Sequence, residues 1–255
     1  MPTGAIPPAR FLVYPARRLT ASGVTMRFLL SILALVGLGA AMPATAQIVE
    51  SPAKDRKAPP PTTDKENLWL LDLSTGGRVT IWLRPDVAPQ MVERIKTLTR
   101  RKFYDGVLFH RVIEGFMAQS GDPKGDGSGG SDLPDLPAEF SYLPHVRGAV
   151  SAARQGAPED ATPEQKKAAQ NTANSQFFIM FVPRLSLDKD YSVFGRVIGG
   201  MEYVDAIPRG EPPANPARVL HAYIAADNPP AYQAPAAPAA GLPAGEKEVT
   251  LPGTQ

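Results

Sequence analysis

The chain has 255 residues, 43% of them hydrophobic, and its 27 basic and 25 acidic residues leave a formal net charge of +2. That length suits one large domain or two small ones with a sizeable core. So small a charge excludes a nucleic-acid partner held by bulk electrostatics, and the lack of any cysteine excludes disulfides, thiolate nucleophiles and thiolate metal sites.

The charge is unevenly spread. Residues 1–46 hold Arg10, Arg17, Arg18 and Arg27 and no acid, so the remainder is slightly acidic. Arg27 precedes an apolar run, Phe28 to Leu38, followed by small residues and Ala44-Thr45-Ala46. A charged start, an apolar stretch and an A-x-A site read as a secretory signal peptide cleaved after Ala46. The run is too short for a membrane span, which needs roughly 20 apolar residues. Met26 opens a conventional signal over 26–46, so residues 1–25 read as lying upstream of the true start. The expectation is an exported protein, periplasmic or secreted, with no stable membrane insertion after cleavage.

Residues 47–66, rich in Pro, Lys and Asp, read as a disordered linker. Leu68–Leu73 and Val79–Leu83 are apolar runs of strand length, joined by the turn residues Ser74-Thr75-Gly76-Gly77 into a hairpin. Asp86 and Pro89 open a helix whose apolar face is Val92, Ile95 and Leu98, closed by Arg100, Arg101 and Lys102. Short strand-like pieces follow at Leu108–Ile113, Phe116–Ser120, Ala149–Ala153, Gln176–Phe181, Ser192–Val197 and Val219–Ala225, with a second helix at Met201–Ile207. Residues 154–173, polar and marked by Pro158 and Pro163, read as a long surface loop with room for one helical turn. From Asn228 onward Pro and Ala dominate without periodicity, which reads as a disordered tail over 228–255. Many short strands with few helices imply a closed or nearly closed β-barrel.

Three patterns are set aside. Gly125-Asp126-Gly127-Ser128-Gly129-Gly130 fits G-x-G-x-x-G, but Ser131, Asp132, Leu133 and Pro134 follow and cannot open the helix a nucleotide loop requires. It reads as a flexible glycine loop. His110, His145 and His221 are scattered without a metal-ligand spacing, and His110 in a strand reads as structural. No serine sits in G-x-S-x-G.

The informative stretch is Phe109-His110-Arg111-Val112-Ile113-Glu114-Gly115-Phe116-Met117-Ala118-Gln119-Ser120-Gly121-Asp122. Strand alternation alone would make its Phe and Met core residues and its Arg a solvated edge. However, the stretch closely resembles the cyclophilin signature F-H-R-x-I-x-G-F-M-x-Q-x-G-D. Asn174-Ser175-Gln176-Phe177-Phe178-Ile179 resembles the family's N-x-S-Q-F-F-I with one residue fewer between Asn and Ser. Tyr191-Ser192-Val193-Phe194-Gly195-Arg196-Val197 resembles its V-F-G-x-V strand. Phe103-Tyr104-Asp105-Gly106 and Gly148-Ala149-Val150-Ser151 also fit. The resemblance covers about residues 67–227 and implies a mainly β protein, a closed eight-stranded antiparallel barrel with two capping helices.

The activity implied is peptidyl-prolyl cis-trans isomerisation of proline-containing polypeptides, by a monomer without metal or cofactor. The alternative is a non-catalytic peptide-binding chaperone or scaffold that uses the same groove. By resemblance Arg111 is the hydrogen-bond donor to the twisting prolyl nitrogen, and Gln119 orients the guanidinium or contacts a substrate carbonyl. Phe116, Met117, Phe178 and Leu187 are the proline-pocket walls, Ala153 and the backbone of Arg154 bind the substrate main chain, and Gln176 and Tyr191 complete the binding residues. Many eukaryotic cyclophilins carry tryptophan at Ser186 and histidine at Tyr191, so weak cyclosporin sensitivity is expected here. The first test is N-terminal sequencing of protein recovered from an exporting host. The mature chain should begin at Gln47, and one beginning near Met1 would contradict the signal-peptide reading.

Overall fold

A computed structural model describes residues 56–234. The signal region 1–46, residues 47–55 of the linker and residues 235–255 of the tail lie outside these residues. A 3₁₀ turn at Lys65–Asn67, capped by the Asp64 carboxylate, leads into β1 (Leu68–Leu73). β1 pairs in register with β2 (Gly77–Leu83), as the turn between the two apolar runs implied. On β2 burial alternates residue by residue, with Val79, Ile81 and Leu83 fully inside, the pattern of a sheet with one face on the core. Asp72 and Arg78 face each other across this hairpin and form a bidentate ion pair at 2.6 and 2.9 Å.

Helix α1 (Pro89–Arg100) buries Met91, Val92, Ile95 and Leu98. Proline stands at its first turn, where the missing N–H costs nothing. Its N-cap residue, Ala88, has no capping side chain. The Glu139 carboxylate accepts the N–H groups of Gln90 and Met91 instead, at 3.0 and 2.9 Å, a distant cap with favourable charge at the positive helix end. The remaining strands are β3 (Arg111–Ile113), β4 (Met117–Ser120), β5 (Ala149–Ala152), β6 (Phe177–Met180), β7 (Val193–Gly199) and β8 (Val219–Ile224). All eight form one antiparallel sheet in the order β3-β4-β6-β5-β7-β2-β1-β8.

Two expectations need correction. The sheet curls strongly but does not close into a barrel, because β3 and β8 are edge strands that do not pair with each other. Among the described residues, isolated bridges join the chain flanking these edges, Leu108 to Arg218 and Val112 to Gly210. The physical reason lies in the chain leading into β8, where Pro208, Pro212, Pro213 and Pro216 lack the N–H groups a continuous ladder needs. Among the described residues the α-helices also number three, not two. α3 (Met201–Asp205) was expected, whereas α2 (Pro163–Gln170) falls in the segment read as a surface loop. Thr162 and Gln165 form a reciprocal capping box around Pro163 at the first turn, a start signal that outweighs the proline as a loop marker.

The interior is held by edge-on aromatic contacts. Trp69 meets Phe177 at 5.0 Å and Tyr104 at 5.3 Å, and Phe109 meets Phe177 at 6.5 Å. All four rings are fully buried. Phe177→Ala should therefore cost about 3–5 kcal/mol of stability, read as a lowered urea midpoint. A loss under about 1 kcal/mol would contradict this packing.

Candidate active site

The site is built by strand register. Arg111 on β3 stands opposite Gln119 on β4, Gln119 opposite Phe178 on β6, and Phe178 opposite Ser151 on β5. Directly paired residues point to the same side of a sheet, so these four make one row across four strands. Met117 pairs with Met180 on the same side. The intervening residues Val112, Ala118, Phe177 and Ile179 point the other way into the core. A second apolar cluster forms on the outer face from Met117, Ala149, Ala153, Phe178, Met180 and Val193, with Phe116, Leu187 and Tyr191 packed against it.

Over this face runs a groove of about 890 Å³, within the range of sites that bind small groups. Arg111, Phe116, Met117, Gln119, Ala153, Arg154, Phe178, Leu187 and Tyr191 all line it. Gln176 does not. It lines a smaller adjoining pocket, to which Gln119, Ala153 and Arg154 also contribute. The two glutamines are joined, the Gln119 Nε2 donating to the Gln176 Oε1 at 2.9 Å.

Loop chemistry fixes the groove's rim. The buried Asp122 carboxylate accepts the N–H groups of Lys124, Asp126 and Gly127 at 2.6–3.1 Å. The Gln176 amide donates to the carbonyls of Gly127 and Gly129. The loop expected to be flexible is thus stapled from both sides. A Cβ on Gly129 would lie 2.0 Å from the Asp122 Oδ1, so glycine is required for that approach. Asn174 accepts from the Ser131 N–H and hydroxyl, and donates to the Leu133 carbonyl and Asp135. Ser175 donates to the Gly121 carbonyl at 2.7 Å. Asn174-Ser175-Gln176 therefore pins the single connection that leaves β4 at three places, Gly121, Gly127–Gly129 and Ser131–Asp135.

The aromatic wall has its own support. Phe178 and Tyr191 meet edge to face at 5.5 Å, and the fully buried His145 ring lies nearly parallel to Phe178 at 6.2 Å. Asp188 accepts both the backbone N–H and the Nδ1 of His145 at 2.8 Å. Burial works against ionisation of the Asp188 carboxyl, but these His145 bonds outweigh it and hold it below the ordinary range. The Arg154 guanidinium bonds Asp190 at 2.8 Å and lies 4.5 Å from the centre of the Tyr191 ring. Gln170, on α2, also donates to Asp190, so this helix buttresses the wall. Leu187 lies in the 3₁₀ turn Leu185–Leu187.

Arg111 itself is 43% exposed at its side chain, and its Nε donates to the Glu211 Oε2 at 2.7 Å. No hydrogen bond joins Gln119 to Arg111 among the described residues, so Gln119 does not orient the guanidinium here. Its second amide N–H remains available for a substrate carbonyl. Sequence reading did not single out Glu211, His145 or Asp122 as site residues. Asp122 ended the recognised signature, whereas Glu211 stands in a Gly/Pro-rich stretch with no pattern to mark it.

His110, read as structural, also lines the groove although it is only 6% exposed. Burial pushes its imidazole below the ordinary 6.5, against the opposing pull of Asp122. The unfolded chain then takes up a proton near pH ~6.5 that the folded chain refuses. This contribution to stability is complete above that pH and is lost as pH falls towards the lower folded value. The urea midpoint should decline from about pH 7 to about pH 5, and His110→Gln should flatten the decline. An identical pH slope in both proteins would contradict this assignment.

Comparison with known proteins agrees with this geometry. The family model described as cyclophilin type peptidyl-prolyl cis-trans isomerase/CLD matches residues 70–224. A probable peptidyl-prolyl cis-trans isomerase from Brucella suis is 46% identical over 180 residues, covering 64% of this chain and 85% of that protein. The peptidyl-prolyl cis-trans isomerase-like 3 of Gallus gallus is 39% identical over 137 residues, covering 52% of this chain and 77% of that one. Among solved structures, the cyclophilin AquaCyp293 from Hirschia baltica superposes with a TM-score of 0.56 at 27% identity, covering 64% of this chain and 76% of its own. With its signature residues gathered on one groove and a family match spanning most of the described chain, this protein belongs to the cyclophilin-type peptidyl-prolyl cis-trans isomerases.

Proposed function

We propose that Arg111 is the catalytic donor of this isomerase and that the groove acts on Xaa-Pro bonds of exported polypeptides. The reaction breaks no bond to carbon. Its barrier of ~18–20 kcal/mol comes from delocalisation of the prolyl nitrogen lone pair into the carbonyl, and the unaided step takes tens of seconds or longer. As the C–N bond twists, the nitrogen becomes pyramidal and its lone pair localises. A fixed N–H donor then bonds to it, an interaction the planar ground state cannot use, so the transition state alone is stabilised.

The observation that carries this role is the row Arg111–Gln119–Phe178. It puts a permanently charged donor two strands from the aromatic wall. Phe116, Met117, Phe178 and Leu187 hold the proline ring in an apolar pocket, and the acyl side rotates beneath Arg111. Ala153, the Arg154 backbone and the free Gln119 N–H engage the substrate main chain. One preorganised donor supplies about 3–4 kcal/mol, whereas a 10⁵-fold acceleration needs about 7. The remainder falls to orientation and exclusion of water by the pocket walls.

Export rests on the Arg27–Ala46 segment alone, and the monomeric, periplasmic placement of the enzyme is part of this proposal. A coupled assay on an Ala-Xaa-Pro peptide tests the chemistry. The wild type should accelerate isomerisation, and Arg111→Ala should lower kcat/KM about 10²–10³-fold. A wild type with no rate above background would favour a non-catalytic peptide binder. A fully active Arg111→Ala would remove Arg111 from the mechanism.

A further inference from the structure

Glu211 is 100 residues from Arg111 in sequence yet shares its ion pair. Its delivery is specific. Gly210 and Val112 exchange two backbone hydrogen bonds, each 2.8 Å, forming an isolated antiparallel bridge on the β3 edge of the sheet. Val112 directly follows Arg111, and Glu211 directly follows Gly210, so the bridge sets the carboxylate beside the guanidinium. Gly210 has a φ of +148°, and a Cβ there would lie 2.6 Å from the Pro213 Cα and 2.8 Å from the Pro212 carbonyl oxygen. Only glycine satisfies both the conformation and the space.

The contact also has a chosen atom. Glu211 takes the Nε–H, the donor nearest the aliphatic stem, and leaves the four Nη–H donors unused by it. Bonding at Nε fixes the plane of the guanidinium without occupying the edge that would face a substrate. The glutamine expected to do this is engaged elsewhere, with Gln176. Both partners line the groove, so the pair lies within the site rather than on a remote face.

We infer that Glu211 is a positioning residue for the isomerase reaction, holding the Arg111 guanidinium by its Nε so that its terminal N–H groups meet the twisting prolyl nitrogen. The inference rests on the assignment of Arg111 as the donor. An exposed ion pair contributes little to stability, so the effect belongs to turnover. Loosening the donor weakens a bond made only in the transition state, which lowers kcat and leaves KM nearly unchanged.

The test uses the folded enzyme and the variants Glu211→Ala, Glu211→Gln, Glu211→Asp and Arg111→Ala, with kcat and KM measured separately on one proline peptide. Glu211→Ala should lower kcat about tenfold, short of the ~100-fold that an ångström-scale misplacement can cost, with KM within about twofold. Glu211→Gln, which keeps an acceptor oxygen, should recover part of the loss. The Arg111 Nε–H resonance should be protected from solvent exchange in wild type and lose that protection in Glu211→Ala. If Arg111→Ala is inactive while Glu211→Ala keeps wild-type kcat, or if the Nε–H is equally protected without the carboxylate, the inference is overturned and Arg111 stands. If Arg111→Ala is itself fully active, both assignments fall together.

Discussion

Phe177 and Phe178 are consecutive on β6 and serve opposite sides of the sheet. Phe177 closes the aromatic core with Trp69, Tyr104 and Phe109, and Phe178 forms the groove wall with Tyr191. The register that separates them also aligns Arg111 and Gln119 with Phe178 across β3 and β4. A slip of one residue inverts every side chain of the strand that slips: on β3 it would turn the Arg111 guanidinium towards the core, and on β6 it would exchange Phe177 with Phe178. Burial of Phe177 therefore does more than stabilise. It locks the register on which the site's geometry depends.

Around that row, polar groups fix what the strands leave loose. Asp122 and Gln176 hold the glycine loop from two sides. Asp188 holds His145 beneath the aromatic wall, and Glu211 holds Arg111. Each contact lets a loop or a long side chain reach a single arrangement before substrate arrives. The cost of ordering it is then met during folding rather than at the moment of reaction. The enzyme's electrostatics are local in the same sense. A nearly neutral chain carries a groove in which each arginine at the rim, Arg111 and Arg154, is matched by one acid.

Much of this was legible because strand chemistry is local. Alternation on β2, the helical face of Val92, Ile95 and Leu98, and the ordered signature from Phe109 to Asp122 all express contacts within a few residues. The first two located the opening hairpin and α1; the expected site residues came from the resemblance carried by several separated segments, and nine of those ten line the groove. What escaped depends on long-range or reciprocal contacts. Gln176, expected among the binding residues, lines the adjoining pocket, where its place is set by bonds to Gln119 and two glycine carbonyls. Helix α2 was hidden by weighing Pro163 as a breaker, without the Thr162–Gln165 box around it. Glu211 acquires its place from the Gly210–Val112 bridge, and the open sheet edge results from prolines outside any strand. Neither is visible from residue type alone.

The central claim is that Arg111 acts on the transition state and hardly on binding. Nuclear magnetic resonance exchange measured on a proline peptide with wild type and with Arg111→Ala separates the two most directly. The variant should still bind the peptide, shifting the resonances of Phe178 and Tyr191, while cis-trans exchange of the bound peptide falls at least about 100-fold. Bound-state exchange at the wild-type rate, or loss of peptide binding equal to the loss of turnover, would contradict it.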